Sequence, residues 1–378
     1  MIRERITSLR NKDLIKNKDS LRMTKEALKK KAQALPALPG VYLMEDMLGN
    51  IIYVGKSKAL KKRVSSYFSD SQKLPKVERM VRCIHNFSVQ LTDTELDALI
   101  LECRLIKKYK PLYNRLLKQD HKYRYLCLNP EEERPRVRLV REQTEKGHYF
   151  GPYEKGQGLF EAILALNEYY ELPDCKRYES KEGCLTYKRQ KCLGPCKKPF
   201  DEARFKKRLM ATCLFLQGED DTVIKFYEAQ MEEAAAMLEF EQALALKQKW
   251  QALKSIHFRR EAIEFATSNQ VTLLLLDCPA GGEKLSLWVG ATMIWSKVMK
   301  KRPRGKNLEQ VFASMKRALV EAKGKSDEPL RKEAIDEAQI VYSMFKKQTP
   351  KTCQFFERSS EQKANEEVLQ RMFNHILG

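Results

Sequence analysis

Between Gly40 and Phe68 the chain reads GVYLMEDMLGNIIYVGKSKALKKRVSSYF, and few folds satisfy that pattern. Val41 to Leu43 and Ile51 to Val54 are β-branched or aromatic runs with Gly49-Asn50 between them, which predicts a β-hairpin. Gly55 leaves the backbone room to turn into a helix. On that helix Leu60, Val64 and Tyr67 share one face by the i, i+4, i+7 rule, with Lys61, Lys62 and Arg63 elsewhere. Each strand run carries a tyrosine, Tyr42 and Tyr53, and Tyr67 closes the helix. Singly, a strand tyrosine is packing and a basic helix face is solvated. Together they meet the demands of phosphodiester hydrolysis: a polarised water, a cation against charge developing on the phosphoryl oxygens, and a group at the leaving oxygen. Tyrosine, with a reference pKa of about 10, acts as a base at neutral pH only beside positive charge or a metal-bound water. Lys56 and Arg63 are placed to supply such a field.

A metal ligand is expected further on, in TDTELDALILECRLIKKYKPLYN. Thr94 reads as an N-cap and Pro111 as a stop, so the segment predicts a helix. Glu102 sits in it among Leu99, Ile100, Leu101, Cys103, Leu105 and Ile106. A buried unpaired carboxylate is costly. Periodicity alone leaves two placements open, one bordering the core and one facing solvent beside Arg104 and Lys107.

GVY and YVG, with ten residues between their tyrosines, then Lys56, Arg63 and Tyr67, resemble the GIY-YIG nuclease superfamily; YVGK and LKKRVSSYF are similar to its UvrC branch. The resemblance implies that Glu102 binds one divalent ion, Mg2+ or Mn2+, and that Asn114, twelve residues later, completes the site. It further implies that Tyr53 acts as or positions the general base, that Lys56 and Arg63 stabilise phosphate charge, and that Tyr42 and Tyr67 orient the water or phosphate. Lys58, Lys61, Lys62, Arg115 and Lys122 are the basic side chains expected to contact DNA.

A second signal is Cys175, Cys184, Cys192 and Cys196, with gaps of eight, seven and three residues. The chain has ten cysteines, and its start is polar and basic, which suggests a reduced, cytoplasmic protein and disfavours disulfides. Structural zinc usually shows two C-x2-C pairs, which these gaps lack, whereas iron–sulfur ligation tolerates irregular spacing. Zinc or free thiols stay open on spacing alone. UvrC-like proteins end a similar four-cysteine frame in CLGPC and hold a four-iron four-sulfur cluster, although the first gap is shorter here. The resemblance therefore implies that cluster. Cys83, Cys103, Cys127, Cys213, Cys278 and Cys353 are scattered and read as packing.

Charge points to a polyanion: 71 Lys plus Arg stand against 50 Asp plus Glu, a net +21, concentrated in residues 1–36, 54–82, 104–126 and 176–208. A positive field of this kind gathers counterions that nucleic acid releases on binding. Tyr109, Tyr113, Tyr123 and Tyr125 interleave with cations and are candidates for stacking on bases, with packing accounting for at least half of them. A membrane partner is not expected, since no long apolar run or amphipathic anchor is present.

Residues 219–264 have the opposite sign, ten acids against six bases. Leu238, Ala243, Leu246, Trp250, Leu253 and Ile256 recur at helical spacing, and Glu-Phe-Glu near residue 240 predicts a break between two antiparallel helices. LEFEQALALK is similar to the UVR motif by which UvrC docks on its UvrB partner. After residue 265 the sequence shows a strand pair, VTLLLLD and KLSLWVGATMIW, helical stretches around Leu308–Ala322 and Pro329–Phe345, and a polar tail. No second metal site is legible there.

The expected fold is a multidomain α+β chain: a basic leader (1–36), a small α/β GIY-YIG nuclease domain (37–125), a linker with the four-cysteine module (126–218), a UVR-like helical hairpin (219–265), and a short α/β C-terminal region of unknown role (266–378). The resemblance, to the N-terminal half of UvrC or its shorter stand-alone homologue Cho, covers roughly residues 37–265. It implies a metal-dependent endonuclease of nucleotide excision repair that makes one incision on the 3′ side of damage. The alternatives are a catalytically silent module that binds DNA or UvrB, and a GIY-YIG nuclease of recombination or mobile-element processing.

Overall fold

The computed structural model describes residues 24–69, 71–114, 123–143, 146–154, 156–173, 185–196, 200–322, 332–349 and 351–377. Arg115, Lys122, Cys175, Cys184 and the leader before Thr24 lie outside the described residues. The chain forms two compact units: one combines the residues before 120 with those from Phe265 onward, and the other runs from Asp120 to Glu264.

The first unit begins with helix α1 (Lys25–Gln33), capped by the Thr24 hydroxyl on Ala27 N. Strands β1 (Gly40–Glu45) and β2 (Ile51–Ser57) form the expected hairpin. At its tip the Asp46 carboxylate accepts from Leu48 N and Asn50 N, and Gly49 takes φ +80°, a region that favours glycine. Helices α2 (Leu60–Phe68) and α3 (Pro75–Cys83) follow, and β3 (Asn86–Leu91) then pairs with β1, giving an antiparallel sheet ordered β2-β1-β3. Helix α4 (Glu95–Tyr109) opens with a Thr94–Asp97 capping box and closes at Lys110, whose φ is +47°.

Alternation along the strands sorts the core. Val41, Leu43 and Val54 meet Ala98, Leu105 and Ile106 of α4, while Tyr42 and Met44 meet Leu60, Val64, Tyr67 and Phe68 of α2. The helix face expected from Leu60, Val64 and Tyr67 is the buried one.

The residues from Phe265 onward form a four-stranded antiparallel sheet, β7 (Gln270–Asp277), β8 (Glu283–Val289), β9 (Thr292–Met299) and β10 (Cys353–Glu357), ordered β10-β7-β8-β9. Helices α10 (Lys306–Glu321), α11 (Lys332–Phe345) and α12 (Gln362–Leu377) complete it. Two expectations are corrected here. KLSLWVGATMIW is two strands, because Gly290 at φ +53° turns the chain and a Cβ there would lie 2.6 Å from Ala266 O. The polar tail is a strand and a helix, with Leu369, Met372, Phe373 and Ile376 of α12 buried against Leu285 and Leu287. Their i, i+3, i+4, i+7 spacing was a helix signal diluted by the surrounding charge.

The second unit carries β4 (Tyr123–Leu128), β5 (Arg138–Val140) and β6 (His148–Glu154), ordered β5-β4-β6, with α5 (Gln157–Tyr169), the short α6 (Leu185–Lys188), α7 (Glu202–Gln217), α8 (Thr222–Ala236) and most of α9 (Phe240–Thr267). Leu126, Leu166, Phe215, Val223 and Leu253 share its core. The break between α8 and α9 falls at Leu238, φ +62°. Of the expected stripe, Leu253 and Ile256 are buried, Leu246 and Trp250 pack partly on that core, and Leu238 is 70% exposed.

Candidate active site

Register builds the site. Tyr42 of β1 stands opposite Gly55 of β2, and Tyr53 lies two residues from Gly55 on the same face, so the two phenol rings flank a position that has no side chain. A Cβ at Gly55 would sit 2.4 Å from the Tyr42 hydroxyl and 2.9 Å from Tyr53 Cε1. Tyr67 from α2 closes the triangle, with ring centroids 5.8 Å from Tyr42 and 6.4 Å from Tyr53. The Tyr42 and Tyr67 hydroxyls are 2.8 Å apart in a buried hydrogen bond. Arg63, four residues before Tyr67 on α2, places its guanidinium 5.2 Å from the Tyr67 ring centroid and donates from Nε to Tyr42 Oη at 3.4 Å.

Glu102 reaches the same place from α4. Its Oε1 accepts from the backbone N of Lys56 at 2.8 Å, and the residue is half-buried rather than solvent-facing. Asn114 makes a two-point bond to the middle of β2, accepting from Val54 N at 2.9 Å and donating to Val54 O at 2.8 Å, while Tyr113 N donates to Ile52 O. The segment after α4 is thereby sewn onto β2. Tyr53, Arg63, Tyr67, Glu102 and Asn114 line one cavity of about 630 Å³.

Lys56 behaves differently from its neighbours. Being an odd number of residues from Tyr53, its side chain leaves the opposite face of the strand, toward α4, where its ammonium lies 2.7 Å from Glu95 Oε1. Its contact with the cavity is through its amide. Lys58 is exposed and pairs with the other Glu95 oxygen at 2.8 Å; Lys61 and Lys62 are exposed on α2. Ser66, Ser71, Lys73, Lys76 and Tyr113 also line the cavity, and no spacing rule pointed to the serines and lysines. Tyr109 is exposed, whereas Tyr123 is buried in the core of the second unit.

The electrostatics suit a cation site. Burial raises the Glu102 carboxyl above its usual value, against the opposing pull of the Lys56 amide, the Lys56 charge and Arg63. Burial pushes the Tyr53 phenol up to about 12, reinforced by Tyr67 and countered by Arg63. Tyr42 is driven higher still by burial and by Tyr67. The Tyr53 and Tyr42 phenols are therefore protonated donors at neutral pH, and Glu102 is the acidic side chain that lines the cavity. Among the described residues no group of three His, Cys, Asp or Glu converges as a nitrogen- or sulfur-rich metal centre would require. A single carboxylate with neutral oxygens fits a hydrated hard cation, which is commonly held by one or two carboxylates and substrate phosphates.

Residues 38–115 match the UvrC-like GIY-YIG domain, and residues 123–215 match the UvrC/Cho excinuclease middle domain. Over these two stretches this is a UvrC-like chain. UvrABC system protein C from Acetivibrio thermocellus is 40% identical over 252 residues, 65% of this chain and 40% of that protein. Its namesake from Desulfitobacterium hafniense is 40% identical over 233 residues, 61% of this chain and 38% of that protein. The UvrC-like chain thus spans about two fifths of the length of these curated relatives. Among solved structures, the GIY-YIG N-terminal endonuclease domain of UvrC from Thermotoga maritima, bound to magnesium, is 38% identical, covering 24% of this chain and 100% of that one at a TM-score of 0.23.

In the UvrC-like middle domain, Cys192 is buried and Cys196 half-buried at the ends of CLGPC, where Gly194 takes φ +71° and its N donates to Cys192 Sγ at 3.3 Å. Among the described residues no helix is long and apolar enough to cross a membrane.

Proposed function

We propose that the chain is a divalent-metal-dependent DNA endonuclease that makes a single incision, on the 3′ side of damage, in nucleotide excision repair. What supports this most is the convergence of the half-buried Glu102 carboxylate, the Tyr53 and Tyr67 phenols and the Arg63 guanidinium on one cavity, with Tyr42 buried behind them and hydrogen-bonded to Tyr67. Glu102 would hold Mg2+ or Mn2+, which when bound supplies charge neutralisation at the phosphate and an acidified water. Arg63 stays charged across the pH range and offers a planar fork to phosphate oxygens. The Tyr53 hydroxyl, protonated at neutral pH, would position the attacking water; acting as the general base would require its own proton to pass first to solvent, a transfer that the Arg63 charge favours. Tyr42 and Tyr67 hold that hydroxyl's surroundings rigid, and Asn114 fixes the strand that carries Tyr53. Lys58, Lys61 and Lys62 offer exposed charge to the DNA backbone. The test is a nicking assay on a lesion-bearing duplex with a Mg2+ and Mn2+ titration. Absence of metal-dependent nicks, with and without a UvrB-type partner, favours a silent binding module, and preference for branched or undamaged DNA favours the recombination reading.

The α8–α9 tip supports docking to a UvrB-type subunit. Met237, Leu238, Phe240 and Leu244 are 62, 70, 68 and 57% exposed, an apolar cluster at one turn that a partner's apolar surface would cover. Phe240→Ser with Leu244→Ser is expected to weaken that association by about tenfold or more, the scale of losing interface anchors. Calorimetry with the partner checks it, and unchanged affinity removes the assignment.

For the cysteines, the buried Cys192 sulfur that accepts a backbone N–H supports thiolate ligation, so Cys175, Cys184, Cys192 and Cys196 are proposed to bind a four-iron four-sulfur cluster. Anaerobically purified protein is expected to be brown with broad visible absorbance; colourless protein retaining zinc would replace the cluster by structural Zn2+.

A further inference from the structure

Helix α4 is enclosed on more than one side. One face lies on the β1–β2 hairpin through Ala98, Leu105 and Ile106. Another buries Leu96 and Ile100 against Leu274, Trp288 and Val341, all from the region after Phe265. On β8, alternation sends Leu285 and Leu287 into the core beneath α10 and α12, and sends Lys284, Ser286 and Trp288 to the opposite face.

Lys284 is only 9% exposed, and its ammonium is 2.9 Å from Asp97 Oδ1 and 3.1 Å from Asp93 Oδ2. Asp97 is also the capping-box residue of α4. Its Oδ2 accepts from Thr94 N at 3.0 Å and Thr94 Oγ1 at 2.7 Å, leaving Oδ1 for Lys284. At the far end of the helix, Lys107 lies 2.6 Å from Asp336, and Arg104 forms a two-point pair with Glu337, both carboxylates from α11. Glu102 stands midway between these attachments. From Asp97 to Lys107 is ten residues, about 15 Å of helix at 1.5 Å per residue.

We propose that the region after Phe265 is a clamp on α4, and that Lys284 is a positioning residue for Glu102, acting through Asp97. The inference rests on Glu102 being the metal ligand. A cation held by one carboxylate and neutral oxygens tolerates little displacement of that carboxylate, so the mount of the helix sets the affinity. Apolar contacts alone would permit sliding; the Lys284 ammonium fixes the helix near its N-terminal end, as the Lys107–Asp336 and Arg104–Glu337 pairs do near its C-terminal end.

The experiment measures Mn2+ binding to the full chain without DNA, by calorimetry, alongside thermal melting and DNA binding in EDTA. Lys284→Met is expected to weaken Mn2+ binding about tenfold, the lower scale seen for outer-shell partners, with DNA affinity within twofold. Lys284→Arg, which keeps the charge, is expected to recover most of the loss. A Lys284→Met chain that melts lower yet binds Mn2+ as the parent does overturns the clamp and leaves Lys284 a stability residue. Should Lys284→Met fail to fold, Arg104→Met with Glu337→Gln, at the exposed end, is the second variant; unchanged Mn2+ affinity there also overturns it. A parent chain that binds no Mn2+ sinks the reading of Glu102 instead, and the two failures are thereby separate.

Discussion

Glu102→Gln is expected to lower metal-dependent nicking by about 100- to 1,000-fold, because a bound cation supplies several kcal/mol at the transition state and each 1.36 kcal/mol or so is tenfold. Glutamine keeps the oxygen that accepts from Lys56 N, so the hairpin–helix contact survives and only the charge is lost. DNA binding in EDTA should stay within a few fold. Stability separates this residue from a structural one. Burial raises the Glu102 carboxyl in the folded protein above its usual value, so the folded form holds its proton more tightly than the unfolded one. The penalty of ionising it is absent at pH below the unfolded value and develops as pH rises through the folded one. At neutral pH the glutamine variant is therefore expected to melt at or above the parent's temperature while being inactive. The same shift predicts that protons compete with the cation at higher pH than for an ordinary carboxylate: Mn2+ affinity in the parent should decline on acidification from a pH above 4.5. A variant that cuts like the parent, or that loses stability along with activity, would show that Glu102 is a packing residue.

Gly55→Ala is expected to have the next largest effect, from a residue that does no chemistry. Its Cβ would lie 2.4 Å from Tyr42 Oη, 2.5 Å from Tyr42 Cζ and 2.9 Å from Tyr53 Cε1, and the Tyr42 ring is 1% exposed with nowhere to retreat. Either β2 moves away from β1 or both rings rotate. Overpacking of this kind costs about 1–3 kcal/mol of stability. Since a displacement of about 1 Å in a reacting constellation costs on the order of 100-fold, nicking should fall by that much in the fraction that remains folded. The signature is loss of the Tyr42–Tyr67 packing, read as a changed near-UV circular dichroism of the tyrosines, together with a lower melting temperature. Gly158→Ala in α5, where a Cβ meets nothing within 4 Å, is the contrast, expected to be neutral or to stabilise by about 0.5 kcal/mol. Equal effects of the two substitutions would remove the close approach at Gly55 as a cause.

Local physics made much of the site legible. The hairpin followed from β-branched runs around Gly49-Asn50, the α2 face from the spacing of Leu60, Val64 and Tyr67, and the α4 bounds from Thr94 and Pro111. These features need only neighbours within one turn or one strand pair. The side-chain direction of Lys56 was also within reach, since strand parity alone separates it from Tyr53. Beyond reach were Ser66, Ser71, Lys73 and Lys76, which line the cavity because of how α2 and α3 pack, and the close approach of Ala266 O to Gly290, which leaves no room for a Cβ there.

The amino-acid order by itself determined which groups are available: three phenols, one carboxylate within an apolar stretch of helix, a guanidinium, and glycine where two rings must pass. The tertiary structure alone decided that Glu102 borders the cavity rather than solvent, that the Lys56 ammonium pairs with Glu95, and that Lys284 pairs with Asp97, 187 residues away along the chain. Periodicity and capping are interactions over a few residues. Burial and ion pairing between distant segments depend on which faces meet, and the sequence records that only through the fold.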